Sequence, residues 1–171
     1  MLSIDETTLH LADEFDATPV VIPAKHGDLE SLLRAMDALD ARGHPYVADP
    51  ILDPIHLGFT ESLLRYAELR RRRPDAEILM GTGNLTELTD ADSTGVTAAL
   101  MGIVSELRIG NVLVVQVSPH CRRAVQEHDA ARRLMFAARE DGTMPNNYGS
   151  ELLCLTAPRR SPDDRAGSAC D

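Results

Sequence analysis

Tryptophan is missing from this chain, and aromatic residues of any kind fill only 4% of its 171 positions. Its core must therefore be built from Leu, Val, Ile, Ala and Met. Lysine is nearly missing too: the 17 basic residues include Lys25 alone of that type, which leaves few groups for Schiff-base chemistry. Positive charge is short overall. Against 27 acidic residues the formal net charge is −10, which argues against a nucleic-acid partner. The three cysteines, Cys121, Cys154 and Cys170, are odd in number and widely spaced, with no CxxC pair. Neither a zinc ribbon nor a disulfide framework is supported, and a reducing cytoplasm is the expected setting. No apolar stretch approaches the ~20 residues of a membrane helix, so no membrane partner is expected. Asp5 and Glu6 stand where a signal peptide would carry positive charge. No GxGxxG or P-loop signature occurs, so a nucleotide-binding Rossmann reading is weak.

What the chain has is an alternation of short apolar runs and amphipathic stretches. Its 43% hydrophobic and 26% charged residues are ordinary for a soluble domain, and its length suits one domain with a real core. Residues 5–16 read as the end of a helix, with Leu9, Ala12 and Phe15 on one face. Thr18 to Ala24 is apolar on both sides, as a covered parallel strand is. Asp28 caps a helix predicted over 29–42, with Leu29, Leu32, Leu33, Met36 and Leu39 inward, and Gly43 stops it. Tyr46 to Leu52 reads as a second strand. A helix capped by Thr60 follows, burying Leu63, Leu64, Ala67 and Leu69, with Arg70 to Arg73 in a last turn where they complement the dipole. A third strand is predicted over 77–80, a helix over 93–108, a fourth strand over 111–117 and a helix over 121–139 through Val125, Ala130, Leu134 and Phe136. Leu152 to Leu155 forms a last apolar run, and 157–171 has the composition of a disordered tail. The expected fold class is α/β, four βα units with parallel strands after a leading helix. That is half of a (β/α)8 barrel or a small open sheet.

The stretch Glu77 to Asp92, EILMGTGNLTELTDAD, is the centre of this pattern. A buried strand breaks at Gly81 and Gly83 and delivers Asn84 and then Glu87, Asp90 and Asp92 to its C-terminal end. In α/β proteins ligands bind there. The preceding strand ends likewise, in Asp49-Pro50-Ile51-Leu52-Asp53-Pro54, so the two ends predict one shared pocket. Asp92 suits the cap of the next helix. His56 and His120 sit in strand-to-helix loops, where they suit ligand contacts; their spacing gives no tight metal pair, and no metal is expected. Cys121 lies near a helix start, where a thiolate would be stabilised. Glu127, His128 and Asp129 fall within a helix, solvated or packed.

Asp49 to His56 with Gly58-Phe59, the block Gly81 to Asp90, the segment Gln116 to His120 and Glu127 to Arg133 together resemble the dihydropteroate-synthase-related proteins of the pterin-binding barrel superfamily. The resemblance spans roughly residues 15–155. It implies a TIM barrel of which this chain is similar to the fifth through eighth βα units, so that residues 1–156 form a partial pterin-binding barrel domain. It implies that Asp53, with Asp49 as the rival, accepts hydrogen bonds from a pterin's amino-pyrimidinone edge, and that Asn84 also contacts the pterin. Thr82, Glu87, Asp90, Gln116, His56 and His120 then belong to the pocket rim. The synthases' lysine after the seventh strand has no counterpart here.

The implied chemistry joins a reduced pterin's methylene carbon to an arylamine as pyrophosphate leaves, in the making of tetrahydromethanopterin- or folate-type one-carbon carriers. Reduced pterin is thus substrate or ligand, no further cofactor is called for, and no catalytic residue is singled out. A non-catalytic pterin-binding or scaffolding subunit and a metal-dependent hydrolase are the other readings. Half a barrel would leave two strand edges open. It is expected to form a homodimer or to join a missing half-barrel.

Overall fold

The computed structural model describes residues 1–148. The apolar run at 152–155, the expected tail at 157–171, and Cys154 and Cys170 lie outside the described residues. The chain is α/β with parallel strands. Five short strands, rather than the four expected, are β1 (Ser3–Ile4), β2 (Val20–Val21), β3 (Val47–Ala48), β4 (Leu79–Gly81) and β5 (Asn111–Leu113). They lie side by side in chain order, β1-β2-β3 and β4-β5, and a parallel bridge from Ala48 to Ile78 joins the two sets. Every pairing is parallel. The helices between them are α1 (Leu11–Glu14), α2 (Leu29–Asp40), α3 (Phe59–Arg72), α4 (Gly83–Thr86), α5 (Ser93–Glu106) and α6 (Ala124–Glu140).

The expected leading helix is mostly absent, and β1 was not anticipated. Asp5 is the reason. Its carboxylate accepts from the Thr7 amide at 2.8 Å and the Thr7 hydroxyl at 2.6 Å, closing a turn where the helix was predicted. Only Leu11–Glu14 is helical; Ala12 is buried, while Phe15 is exposed. The strands are shorter than their apolar runs. β2 is bracketed by Pro19 and Pro23, which have no N–H for the ladder. β3 stops at Asp49, whose side chain takes the Ile51 amide into a turn. β5 reaches only Leu113, not Val117.

Helix boundaries follow their caps. Asp28 accepts from the Ser31 amide and starts α2, and Gly43, at φ 67°, follows its end. Gly58, at φ 113°, caps α3 in place of the expected Thr60. The inward face of α3 is therefore turned: Tyr66 and Leu69 are buried while Leu64 and Ala67 face out. Asp92 caps α5, as expected, by accepting from the Thr94 amide. α6 buries Ala124, Glu127, His128, Ala131, Leu134 and Ala138, and leaves Val125 and Phe136 exposed, against expectation.

The core is aliphatic, with Ile4, Val21, Leu32, Met36, Leu39, Leu52, Leu69, Ile78, Met80 and Leu100 all essentially inaccessible around Tyr66. The arginines ending α3 are all engaged within the chain. Arg70 donates to the Leu107 and Arg108 carbonyls at 2.8 and 2.9 Å, and Arg71, Arg72 and Arg73 pair with Glu68, Glu30 and Asp37. Among the described residues no helix is long and apolar enough to cross a membrane.

Candidate ligand-binding site

Parallel strands in register put all their C-terminal ends on one side of the sheet. The residues just after β2, β3, β4 and β5 meet there. After β3 the chain makes the strained loop Asp49 to Asp53, in which Ile51 holds φ 66°. A β-branched residue in that region is a true outlier. Both polar groups of Ile51 are taken. Its amide donates to Asp49 Oδ1 at 2.8 Å, and its carbonyl accepts from Arg65 Nη2 at 2.9 Å.

Asp49 lines a cleft of 310 Å³ with Gly81, Gly83, Asn84, Glu87, Leu88, Leu113 and Val115. Both of its bonds within the chain fall on one oxygen. Oδ1 accepts from the Ile51 amide and from the Tyr66 hydroxyl at 2.8 Å. Oδ2 has no partner among the described residues. Burial pushes this carboxyl above its ordinary value, and the bonds from Tyr66 and Ile51 offset only part of the rise. Asn84 donates from Nδ2 to the Leu52 carbonyl at 2.8 Å. That bond aligns the side chain and leaves its Oδ1 without a partner among the described residues. The cleft therefore offers acceptors from the ends of two neighbouring strands.

Asp53 lies in the same loop but is held differently. It is buried, with Oδ2 accepting from Arg65 Nη2 at 2.6 Å and Oδ1 bonded to His26 Nε2 at 2.8 Å. Its amide donates to Ser62 Oγ at 3.1 Å. Burial raises its pKa, but the bonds from Arg65 and His26 together outweigh burial and hold it below the ordinary carboxylate value. Gly58 is part of this cradle: a Cβ there would lie 3.0 Å from Asp53 Oδ2.

Of the expected rim residues, Glu87 alone lines this cleft. Its two oxygens accept the Val117 and Ser118 amides at 2.8 Å each, so it ties the segment after β5 to the loop after β4. The bonds from Ser118 and Val117 hold its pKa low. Thr82 is wholly buried rather than on the rim. Its hydroxyl meets His128 Nε2 at 2.9 Å, and His128 Nδ1 lies 2.6 Å from the Ala124 carbonyl, so Nδ1 carries the proton and Thr82 donates to Nε2. His120 bonds the Thr86 carbonyl through Nε2 at 3.0 Å. His56, Asp90 and Gln116 are exposed. His56 holds φ 67°. Cys121 is buried with its Sγ on the Thr86 carbonyl, and burial, Glu87 and Glu127 push the thiol up, against the stabilisation a helix start would give a thiolate.

No family model matches this chain, and no solved structure matches it. It is similar to an uncharacterized protein of Methanocaldococcus jannaschii. The two are 32% identical over 165 residues, which cover 88% of this chain and 31% of that protein. The chain thus spans about a third of the length of the curated relative it matches.

Three participants were not visible in the sequence: His26, Arg65 and Tyr66. Only His26 left a trace there, as a polar residue in the loop after an apolar run. A larger cleft, 560 Å³, opens at the opposite ends of β3 and β4, lined in part by Asp40, Tyr46, Arg72 and Arg73. Three of its polar groups are spent on one another or on α2: Tyr46 donates to Asp40 at 2.9 Å, Arg72 pairs with Glu30 and Arg73 with Asp37. Among the described residues no three His, Cys, Asp or Glu side chains gather as a metal site.

Proposed function

We propose that this chain is a segment of a pterin-binding barrel of the dihydropteroate-synthase-related kind. Its whole protein joins a reduced pterin to an arylamine in the making of a tetrahydromethanopterin- or folate-type one-carbon carrier. The observation that carries this reading is the pair of unspent acceptors, Asp49 Oδ2 and Asn84 Oδ1, beside one cleft at the C-terminal ends of β3 and β4. A pterin's amino-pyrimidinone edge presents adjacent N–H donors, and a carboxylate with a neighbouring amide oxygen accepts them. The apolar side chains of Leu88, Leu113 and Val115 offer the flat ring an apolar wall. Strand order gives further support. Neighbours follow chain order throughout, as in a barrel, where a doubly wound sheet would reverse at a switch point. In this reading Asp49 is the carboxylate that meets the ligand and Asp53 is a positioning group.

Titration with a reduced pterin, followed by ligand fluorescence, tests it. Asp49→Ala and Asn84→Ala should each weaken binding by ~1–3 kcal/mol, the cost of leaving a buried donor unpaired. Equal affinity in the wild type and both variants would remove the cleft from consideration.

A further inference from the structure

Resting on the pterin reading, we propose that His26 is the proton acceptor of this rim, positioned by Asp53 and Arg65. The arrangement is a buried carboxylate presenting an exposed imidazole. The Asp53 side chain is 4% accessible and that of His26 68%. Arg65 holds Asp53 from the far side at 2.6 Å and anchors itself on the Pro50 and Ile51 carbonyls at 3.3 and 2.9 Å, so the carboxylate cannot swing away. An ionised Asp53 can only accept. The ring nitrogen 2.8 Å away, Nε2, must therefore carry a hydrogen, which leaves the lone pair of the neutral ring on Nδ1. Nδ1 has no partner among the described residues. Orientation of an imidazole by a buried acid is the arrangement that readies histidine for proton transfer.

His26 follows β2, Asp49 follows β3 and Asn84 follows β4, all on the same side of the sheet. The cleft and the histidine are joined through one loop: Arg65 Nη2 donates both to Asp53 and to the carbonyl of Ile51, whose amide binds Asp49. In the joining reaction the arylamine nitrogen forms a bond to the pterin methylene carbon. The C–O bond to pyrophosphate breaks, and its electron pair leaves with the oxygen. The nitrogen must then lose one proton. His26 Nδ1 takes that proton and passes it to solvent, while Asp53 stabilises the imidazolium.

The test uses the full chain with 6-hydroxymethyl-dihydropterin diphosphate and 4-aminobenzoate as probes, and His26→Gln as the variant. Gln can still donate to Asp53 but cannot take a proton. Pterin affinity should stay the same, while transfer falls ~100-fold or more and is partly restored by added imidazole. Unchanged transfer in His26→Gln overturns the assignment and leaves the pterin reading standing. A wild-type chain that does not bind pterin overturns both. Nitrogen-15 NMR gives a readout independent of turnover: the neutral His26 ring should carry its proton on Nε2, and Asp53→Asn should release it to a mixture of tautomers. A wild-type ring protonated on Nδ1 also overturns the proposal.

Discussion

At the scale of single residues, the two aspartates of the DPILDP loop do opposite things for stability. Asp49 has a raised pKa. Its contribution to stability is full below the ordinary value of 3.8 and is lost as pH rises through the folded-state value. Asp49→Asn should therefore be no less stable than wild type at neutral pH, because Asn Oδ1 can still accept from Ile51 and Tyr66. It should nonetheless bind pterin poorly, since an NH₂ replaces the free oxygen. Urea unfolding and pterin titration of one preparation check both halves. Asp53 has a lowered pKa, so its stabilisation is present above 3.8 and disappears as pH falls through the folded-state value. Asp53→Ala leaves Arg65 buried without its counter-charge and should cost about 3 kcal/mol in urea unfolding. His128 adds to acid sensitivity from another quarter. Burial holds its pKa below 6.5, so the stability of its neutral form is complete above 6.5 and declines as pH falls through the folded-state value. Melting temperature should begin to drop below about pH 6.5, and His128→Gln should remove the earliest part of that drop.

At the scale of elements, the short strands and their loops divide the labour. Two or three ladder residues per strand fix direction and order; the loops carry the polar side chains that border the cleft. The join between β3 and α3 shows how. Gly58, in a left-handed conformation at φ 113°, turns the chain into α3 beside Asp53, and α3 in turn supplies Ser62, Arg65 and Tyr66 to the loop before it. Arg65 and Tyr66 lie three and four residues after Ser62, which brings both next to it on the helix surface. Gly58→Ala should cost about 2 kcal/mol for the positive φ and should disturb Asp53 as well, because the added methyl meets its Oδ2. Thermal unfolding measures the first effect, and the His26 tautomer spectrum should register the second. α6 is tied to β4 by Thr82 and His128, and to α5 by Glu127, which accepts from Ser93 at 2.6 Å and Thr94 at 3.1 Å. Those buried polar pairs explain how charged residues sit on the inward face of α6.

At the scale of the whole molecule, the sheet has open margins. Among the described residues β1 pairs only with β2, and β5 only with β4. From the last residue of β5 onward, Leu113, Val115 and Val117 recur at every second position and are 42%, 36% and 83% exposed. An apolar edge of that kind associates in water. It borders the cleft, so whatever covers it would also close the cleft's open side. Purified chain should sediment as a dimer or larger species, and Val117→Lys should shift it toward monomer. A well-folded wild-type monomer at high concentration would contradict this.

From its residues alone the chain declared an α/β fold, parallel strands, the helix α2 with its Asp28 cap and Gly43 stop, the Asp92 cap, and a polar cluster after the strands. These are local properties, set by periodicity and by side chains bonding backbone within a few positions. Which oxygen of which aspartate remains free is different, because it depends on partners brought from other units of the fold. His26 meets Asp53 across 27 positions, and Asn84 meets Leu52 across 32. Those distances along the chain close only when the strands pack, so tertiary structure alone placed Asp53 under His26 and left Asp49 Oδ2 facing the cleft.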